Sequence, residues 1–412
     1  RSRYLPALTD PNYSDRMWGS QFLTEVQGGS DVGANACQAS LVRPETADRP
    51  ALWRLTGEKW FCSVADASLF LVTARPESAE SGTRGLGLFV VPRRLTAEEL
   101  GPEGGPERVN HFTLRRLKDK LGTRAMASAE LDWNGALGWQ VGRLDRGFAN
   151  VVGVVLNTSR LFNALACAGA MWRAYTVADT FARHRRAFGQ PIDRFPLIQQ
   201  SLATLYAEAL AATASTFDLV AMEADTQRQA VWRLGLNMNK YWTSIRNTRM
   251  QCQAIEVLGG NGTIEDFSPL PRLYRDAMVT ESWEGTHNVL AAQCQRDMHR
   301  YRLHEGWLED AARRLRGVPD ASDQLTPRLS ILQREAMELA ADMDPERTIA
   351  LRSWIERAMV LHQGICLAEL AAWQRARGRT PLPESVMAHL LRLHPANGQG
   401  SGERWWPGRS DG

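Results

Sequence analysis

Four short segments carry residue types and spacings suited to chemistry. In Leu23-Thr-Glu-Val-Gln-Gly-Gly-Ser-Asp31, paired glycines lead into Ser30 and Asp31 directly after a strand-like run. The backbone N–H groups of such a loop can approach a phosphate or a flavin ring closely, flanked by the hydroxyls of Thr24 and Ser30. The same residues also make a plain β-turn. Gly57-Glu-Lys-Trp-Phe-Cys-Ser63 is a turn entering an aromatic strand that ends in a small hydroxyl. A flat ring beside a donor suits stacking on a planar cofactor, and equally suits core packing. Arg183-His-Arg-Arg-Ala-Phe-Gly-Gln-Pro191 clusters guanidiniums at the end of a long helical pattern. They offer bidentate donors for a pyrophosphate, or simply favour the helix macrodipole. In Glu281-Ser-Trp-Glu-Gly-Thr-His-Asn288, Glu284 stands between Trp283 and a glycine where a loop meets a helix. A carboxylate beside a large apolar ring is partly desolvated, which raises its pKa toward that of a general base. A surface Glu near a helix start is the plainer alternative. His287, His299 and His304 lie nearby in sequence and are expected to pack or be solvated rather than catalyse.

Two halves of different period must position these residues. From about 21 to 141, short alternating or β-branched runs (Ala51-Leu-Trp-Arg-Leu-Thr, Leu69-Phe-Leu-Val-Thr, Gly87-Leu-Phe-Val-Val, Ala129-Glu-Leu-Asp-Trp) are separated by turn clusters at 76–85 and 101–106. That spacing predicts an antiparallel β domain or small barrel. No helices separate the strands, as a dinucleotide-binding fold would require. After Gly147 apolar residues recur at three- and four-residue spacing, predicting helices over 148–185, 196–225, 228–258 (closed by Gly259-Gly260-Asn261-Gly262) and 285–302. Such helices joined by short loops make a bundle. Residues 306–395 add at least three amphipathic helices, and 398–412, including Trp405-Trp406, reads as a disordered tail. The expected class is α+β: an antiparallel β domain over 1–143, a four-helix bundle over 144–304 and a helical extension with its tail over 305–412.

Composition narrows the function. A 412-residue chain that is 44% hydrophobic and 23% charged is globular and large enough for two or three domains. Its net charge of +3, with Lys only at 59, 118, 120 and 240, makes no overall case for nucleic-acid binding. The six cysteines (37, 62, 167, 252, 294, 366) form no CxxC pair, and no histidine stands at metal-ligand spacing. No metal site is expected, and reduced thiols in a cytoplasm are. The most apolar stretch, 148–172, is interrupted by Asn157 and Arg160, so neither half reaches the ~18 residues of a membrane span. No signal peptide is read at the start, and the first residue is not Met, so some natural N-terminal sequence is expected to be missing.

In this order the segments resemble the acyl-CoA dehydrogenases. The series is Thr24-Glu-x-Gln-Gly-Gly-Ser-Asp, Gly57-x-Lys with Phe61-Cys-Ser63, Arg185-x-x-Phe188-Gly, Gly259-Gly-x-Gly and Trp283-Glu-Gly-Thr. Lys118-Asp-Lys-Leu-Gly-Thr-Arg124, Gly147-Phe148 and Pro271-Arg-Leu-Tyr-Arg-Asp276 fit as well, so the likeness runs over about 18–300. Phe61-Cys-Ser63, Glu256-Val-Leu-Gly-Gly, Leu270-Pro-Arg-Leu-Tyr-Arg, Trp283 and the C-terminal helices are similar to the AidB-like (alkylation-response) branch.

The resemblance implies FAD as cofactor and an acyl-CoA as substrate, with an electron-transfer flavoprotein as electron acceptor. It assigns Thr24 and Ser63, with Gln21, Leu23 and Cys62 beside them, to the flavin ring, and Phe61 against it. Gly29 and Ser30 would line the pyrophosphate, and Ser30 the thioester as well. Arg185 and Phe188 would hold the diphosphate of a neighbouring subunit's FAD in a homodimer or homotetramer, with Glu256, Gly259 and Gly260 also facing that cofactor. Trp283, Gly285, Thr286 and Asn288 would contact the rest of the cofactor. Glu284 matches the base that removes the α-proton while the β-hydrogen leaves as hydride to flavin N5. Asn157 stands where an Asp often helps hold CoA, and Arg160 keeps the accompanying Arg. Members begin with a helical domain that walls the active site, and this chain enters the β domain almost at once. The resemblance leaves a second function open: a flavoprotein that binds and protects DNA, using arginines such as 313, 314, 316, 375, 377 and 379.

Overall fold

A computed structural model describes residues 4–47, 49–100 and 108–396. The turn cluster at 101–106 and the 398–412 tail lie outside the described residues. The chain divides into two compact units, Arg1–Leu156 and Asn157–Gly412. These units divide after Leu156, in the helical run that follows the expected boundary at 143. The helical turns after Leu144 pack on the sheet so closely that a side chain at Gly147 would lie 2.5 Å from the carbonyl oxygen of Leu86. One apolar cluster runs from Leu161 through Trp307 to Leu391, on both sides of the expected boundary at 304.

The first unit contains α1 (Tyr4–Thr9), β1 (Gly19–Phe22), β2 (Gln38–Arg43), β3 (Leu52–Ser63), β4 (Leu69–Pro76), β5 (Gly87–Pro92), β6 (Arg94–Leu95), α2 (Ala97–Leu100), β7 (Arg108–Val109), β8 (Phe112–Leu117), β9 (Ser128–Gln140) and α3 (Gly147–Asn150). Pairings β4–β2–β3–β9–β5 return to β4, closing a small barrel whose flanks are β1 on β4 and β8 on β9. The sheet is not wholly antiparallel, because β1 and β2 both run parallel to β4. Alternation sends Leu131 and Trp133 of β9 inward, and register irregularities between Leu55 and Thr56 and between Lys59 and Cys62 let β3 bury both Leu55 and Cys62. There they join Phe22, Phe70 and Phe89, with the Phe22 and Phe70 rings 4.9 Å apart. β8 was not among the expected strands. It is an exposed flank whose arginines pair with carboxylates of neighbouring strands, so it lacks an apolar signature.

The second unit contains α4 (Asn157–His184), β10 (Arg186–Ala187), β11 (Gln190–Pro191), α5 (Pro196–Glu223), α6 (Gln229–Leu258), α7 (Leu270–Ser282), α8 (His287–Tyr301), α9 (Leu303–Arg316), α10 (Ser322–Leu339), α11 (Pro345–Arg375) and α12 (Leu382–Leu393). Ala164, Ala168, Ala174, Ala178 and Ala182 are buried along α4 with Ala209 and Ala212 of α5, side chains small enough to let helices approach closely. α6 stops at Gly259, which takes φ +61°, a left-handed conformation that only glycine adopts freely. The expected bundle holds four long helices and also α7, which the Pro269–Pro271 pair concealed. Helical conformation is continuous from Leu144 to His184, including a π-helical turn at Val151–Leu156. Asn157 and Arg160 therefore do not divide it. By length and composition this helix could cross a membrane, at a mean hydropathy of 1.4 in its most apolar window. Its Leu161, Ala164, Cys167 and Met171 are buried in the bundle, a core-helix pattern.

Candidate active site

Each unit builds its own group of functional side chains. In the first, the loop after β1 is anchored by a buried ion pair. Glu25 on the loop meets the Lys59 Nζ of β3 at 2.7 Å, both side chains being almost wholly buried. The Glu25 carboxylate also accepts hydrogen bonds from the backbone N–H groups of Ala36 (2.6 Å) and Cys37 (3.2 Å). Lys59 further donates to the Leu23 carbonyl at 3.2 Å. Burial alone would raise the Glu25 carboxyl, but the Lys59 ammonium and these donors hold it below its ordinary value. The strand carrying Lys59 must pass close to Cys37, and Gly57 permits this. It takes φ +136°, and a Cβ there would lie 2.8 Å from the Cys37 Cα.

This anchoring leaves a shaped surface. The Trp60 N–H donates to the Thr24 carbonyl at 2.9 Å, joining the first two sequence segments. A Cβ on Gly29 would come within 2.6 Å of the Thr24 Oγ1, so the Gly28-Gly29-Ser30 turn, exposed at Gly29 and Ser30, folds back directly over that hydroxyl. Phe61 is half exposed, and the Lys118 ammonium lies 3.4 Å from the Trp60 ring centre and 4.6 Å from that of Phe61. The Ser63 hydroxyl is 2.9 Å from that of Ser128, which also accepts from Lys120 at 3.0 Å. Gln21 and Leu23 are half-buried at the loop's root. Cys62 corrects the sequence reading. Its thiol is fully buried in the barrel core and pushed up to about 12 by burial, so only its backbone could meet a ligand.

In the second unit, Glu284 occupies the turn between α7 and α8. It takes φ +59°, with Gly285 following at φ +105°. A left-handed non-glycine residue is costly and persists where its surroundings over-determine it. Here the turn's carbonyls are held by two buried cations. Arg160 of α4 donates through Nε to the Glu284 carbonyl at 3.1 Å and through Nη1 to the Asn237 Oδ1 at 2.7 Å. Lys240 of α6 donates to the carbonyls of Glu281 at 2.9 Å and Gly285 at 2.7 Å. Burial raises the Glu284 carboxyl above its ordinary value, opposed by Arg160, Lys240 and hydrogen bonds with Trp283 and Ser159. A half-buried carboxyl, raised by burial and backed by two cations, has the chemistry of a proton acceptor. His287 is pushed down to about 4 by burial and by Lys240 and Arg352, so its imidazole is neutral at pH 7.

Comparison with known proteins gives this geometry its context. The family model "Acyl-CoA dehydrogenase, middle domain" matches residues 20–135, and "Acyl-CoA dehydrogenase, C-terminal domain" matches 145–299. The chain belongs to the acyl-CoA dehydrogenase family. It is 32% identical over 326 residues to AidB of Escherichia coli (strain K12); the match spans 78% of this chain and 56% of that one. It is 34% identical over 288 residues to acyl-CoA dehydrogenase family member 11 of Caenorhabditis elegans, spanning 67% and 44%. Among solved structures, Caenorhabditis elegans ACDH-11 in complex with C11-CoA superimposes with a TM-score of 0.79 at 26% identity, over 93% of this chain and 65% of that one. The chain spans about half the length of the curated relatives it matches.

Other residues that the acyl-CoA dehydrogenase motifs single out lie at the surface. Arg185 and Phe188 belong to the β10–β11 hairpin, whose tip carries Phe188 at φ +50° and 96% exposed. Glu256, Gly259 and Gly260 are exposed around the end of α6, and Thr286 and Asn288 at the start of α8. Trp283 is 40% exposed. Arg160 is a correction. As a substrate ligand it should present a free guanidinium, but it is buried and bonded to Glu284 and Asn237, so it acts on the turn.

Two features escaped the sequence reading. Lys240 lies inside a helical pattern, where nothing marks an ammonium as buried. His362 and Cys366 do have a ligand-like i, i+4 spacing on α11, and with Asp218 of α5 they place three possible donor atoms within 4.8 Å of one another. Arg314 occupies that cluster, 2.7 Å from Asp218, 3.5 Å from Cys366 Sγ and paired with Glu369. A fixed guanidinium there opposes a divalent cation and makes the group an ion-pair node. Of the arginines considered for DNA, Arg313, Arg314 and Arg375 are paired with carboxylates, and Arg377 and Arg379 lie over the Trp373 ring.

Proposed function

We propose that the chain is an FAD-dependent oxidoreductase that desaturates an acyl-CoA thioester, with Glu284 as the base. The observation that carries this reading is the Glu284 turn, a raised carboxyl on strained backbone between two buried cations. The surface formed by Thr24, the Gly28-Gly29-Ser30 turn, Phe61 and Ser63 offers a flavin hydroxyls, a half-exposed aromatic ring and a turn that Gly29 lets fold onto the Thr24 hydroxyl. FAD, when bound, supplies the two-electron acceptor that takes the β-hydrogen. The protein's part is then to hold the cofactor on the barrel loops, keep the Glu284 carboxyl unprotonated at working pH, and present it to the α-carbon of a thioester. The α-proton passes to a Glu284 carboxylate oxygen as the double bond forms, and Arg160 and Lys240 hold the turn meanwhile.

The C11-CoA in the worm ACDH-11 structure supports a medium-length acyl-CoA as substrate class. An electron-transfer flavoprotein as acceptor and a homo-oligomer follow from the same resemblance. A DNA-protecting role has weaker support, because the arginines it would use are mostly paired or stacked. A salt-dependent gel shift tests it.

The experiment is an anaerobic visible spectrum of the chain reconstituted with FAD, before and after adding a medium-chain acyl-CoA. The flavin band should bleach, and Glu284→Gln should bind FAD with wild-type stoichiometry while reducing it at least about 100-fold more slowly, as loss of a general base does. Equal bleaching rates in both proteins would overturn the assignment of the base.

A further inference from the structure

We infer that Lys240 is a positioning residue for the base, its ammonium clamping the two backbone carbonyls that flank Glu284. The inference rests on the reading of Glu284 as the base. Lys240 is completely buried on α6, and its described hydrogen-bond partners are the carbonyls of Glu281 and Gly285, not a carboxylate. An ammonium taken out of water with only neutral acceptors is expensive, and a methionine would fill the same volume without that cost. Glu281 lies in the last turn of α7, where a cation is favoured by the helix dipole, and a cap alone would account for that bond. The bond to Gly285 goes beyond a cap, since Gly285 lies outside the helix and past the strained residue. Lys240 therefore bridges the turn from one side of Glu284 to the other, while Arg160 fixes the carbonyl of Glu284 itself.

The clamp also supplies charge. The titratable groups around Lys240 are Arg160 and Cys167 from α4, Glu281 from α7, Glu284 from the turn and His287 from α8. Burial pushes the ammonium down to about 8, so it is charged at neutral pH. In that state it opposes the upward pull of burial on the Glu284 carboxyl. Loss of the charge should thus move the carboxyl further up, and loss of the donors should loosen the turn.

Two variants in the FAD-reconstituted chain separate these effects. Lys240→Met removes charge and donors, and Lys240→Gln removes charge but keeps an amide donor. In Lys240→Met, amide hydrogen exchange over 283–290 should quicken at least tenfold, with exchange in the barrel strands unchanged. The Glu284 carboxyl signal, identified by subtracting Glu284→Gln in carbon-13-labelled protein, should titrate at higher pH in both variants. The rate of flavin reduction by a saturating acyl-CoA should fall about tenfold in Lys240→Met, with little change in the half-saturating concentration, and recover in part in Lys240→Gln. Wild-type exchange over 283–290 and an unmoved carboxyl in Lys240→Met would overturn the proposal. If the Met variant does not fold, the Gln variant is judged on the carboxyl titration alone, and an unmoved titration there overturns it. Full flavin reduction by Glu284→Gln would instead defeat the reading of the base, while the exchange rates still decide the clamp.

Discussion

Glu25 and Lys59 are 34 positions apart, and each would be an isolated buried charge without the other. The carboxylate also accepts from the backbone N–H groups of Ala36 and Cys37 and from the Gln27 side-chain amide, so the pair is a well-bonded anchor rather than a surface contact. Removing one partner of such a pair costs about 3–5 kcal/mol, because the other charge stays behind unpaired. Lys59→Met should therefore lower urea stability by that amount, and Glu25→Gln combined with Lys59→Met should recover most of it. The pH dependence has a definite sign. A carboxyl held below its ordinary 4.5 stabilises the fold above that pH, and the contribution is lost as the pH falls through the folded value. The stability gap between wild type and Glu25→Gln should accordingly be full at pH 6 and close on acidification. A gap that is constant with pH would mean that the pair does not hold the loop. Of this anchor, the sequence shows Gly57-x-Lys59 as a turn motif, and Glu25 appears only as part of the glycine loop. Their pairing depends on a strand register that no local spacing encodes.

At the scale of elements, the helices after 303 are joined to α5 by the node of Asp218, Arg314, His362 and Glu369. Burial pulls the His362 imidazole down, but neighbouring Cys366 and Asp218 outweigh it and raise it to about 10. A histidine raised in the fold adds stability that is complete below its unfolded value of ~6.5 and fades as the pH rises through the folded one. His362→Gln should thus be destabilised most near pH 6, by at most the ~3–5 kcal/mol of a broken buried pair, with the deficit shrinking toward pH 10. Thermal melts across that range check it, and a deficit that grows with pH would show His362 to be neutral. The helices themselves were largely legible, since α4, α5 and α6 carry clean three- and four-residue apolar spacing and a glycine stop at 259. One of the bundle helices was not. α7 begins at a pair of prolines that read as a loop, although Pro is at home in a first helical turn. His362 and Cys366 share a face of α11 at visible spacing, but their meaning depends on Asp218 and Arg314, which other helices supply.

For the whole molecule, the question is what covers its apolar surface. Phe188 is 96% exposed at the hairpin tip, Leu197 is 77% and Phe217 59% exposed on α5, and Phe162 is 64% exposed on α4. Single exposed apolar residues are ordinary, but four large ones in one unit favour association, each worth about 1.5–3 kcal/mol if fully buried. The chain of 46.0 kDa should therefore sediment as a dimer or larger species at ~10 µM. Because the drive is apolar, raising salt from 0.1 to 0.5 M should leave that mass unchanged, whereas an assembly held by exposed ion pairs would dissociate. Phe188→Asp should shift the distribution toward monomer and leave the monomer folded, since a side chain that exposed contributes almost nothing to the fold of its own chain. A single 46.0 kDa species at all concentrations would leave these side chains facing water and would defeat the oligomer expected from the family. Dissociation by salt alone would instead place the contact among the charged residues, away from the hairpin tip.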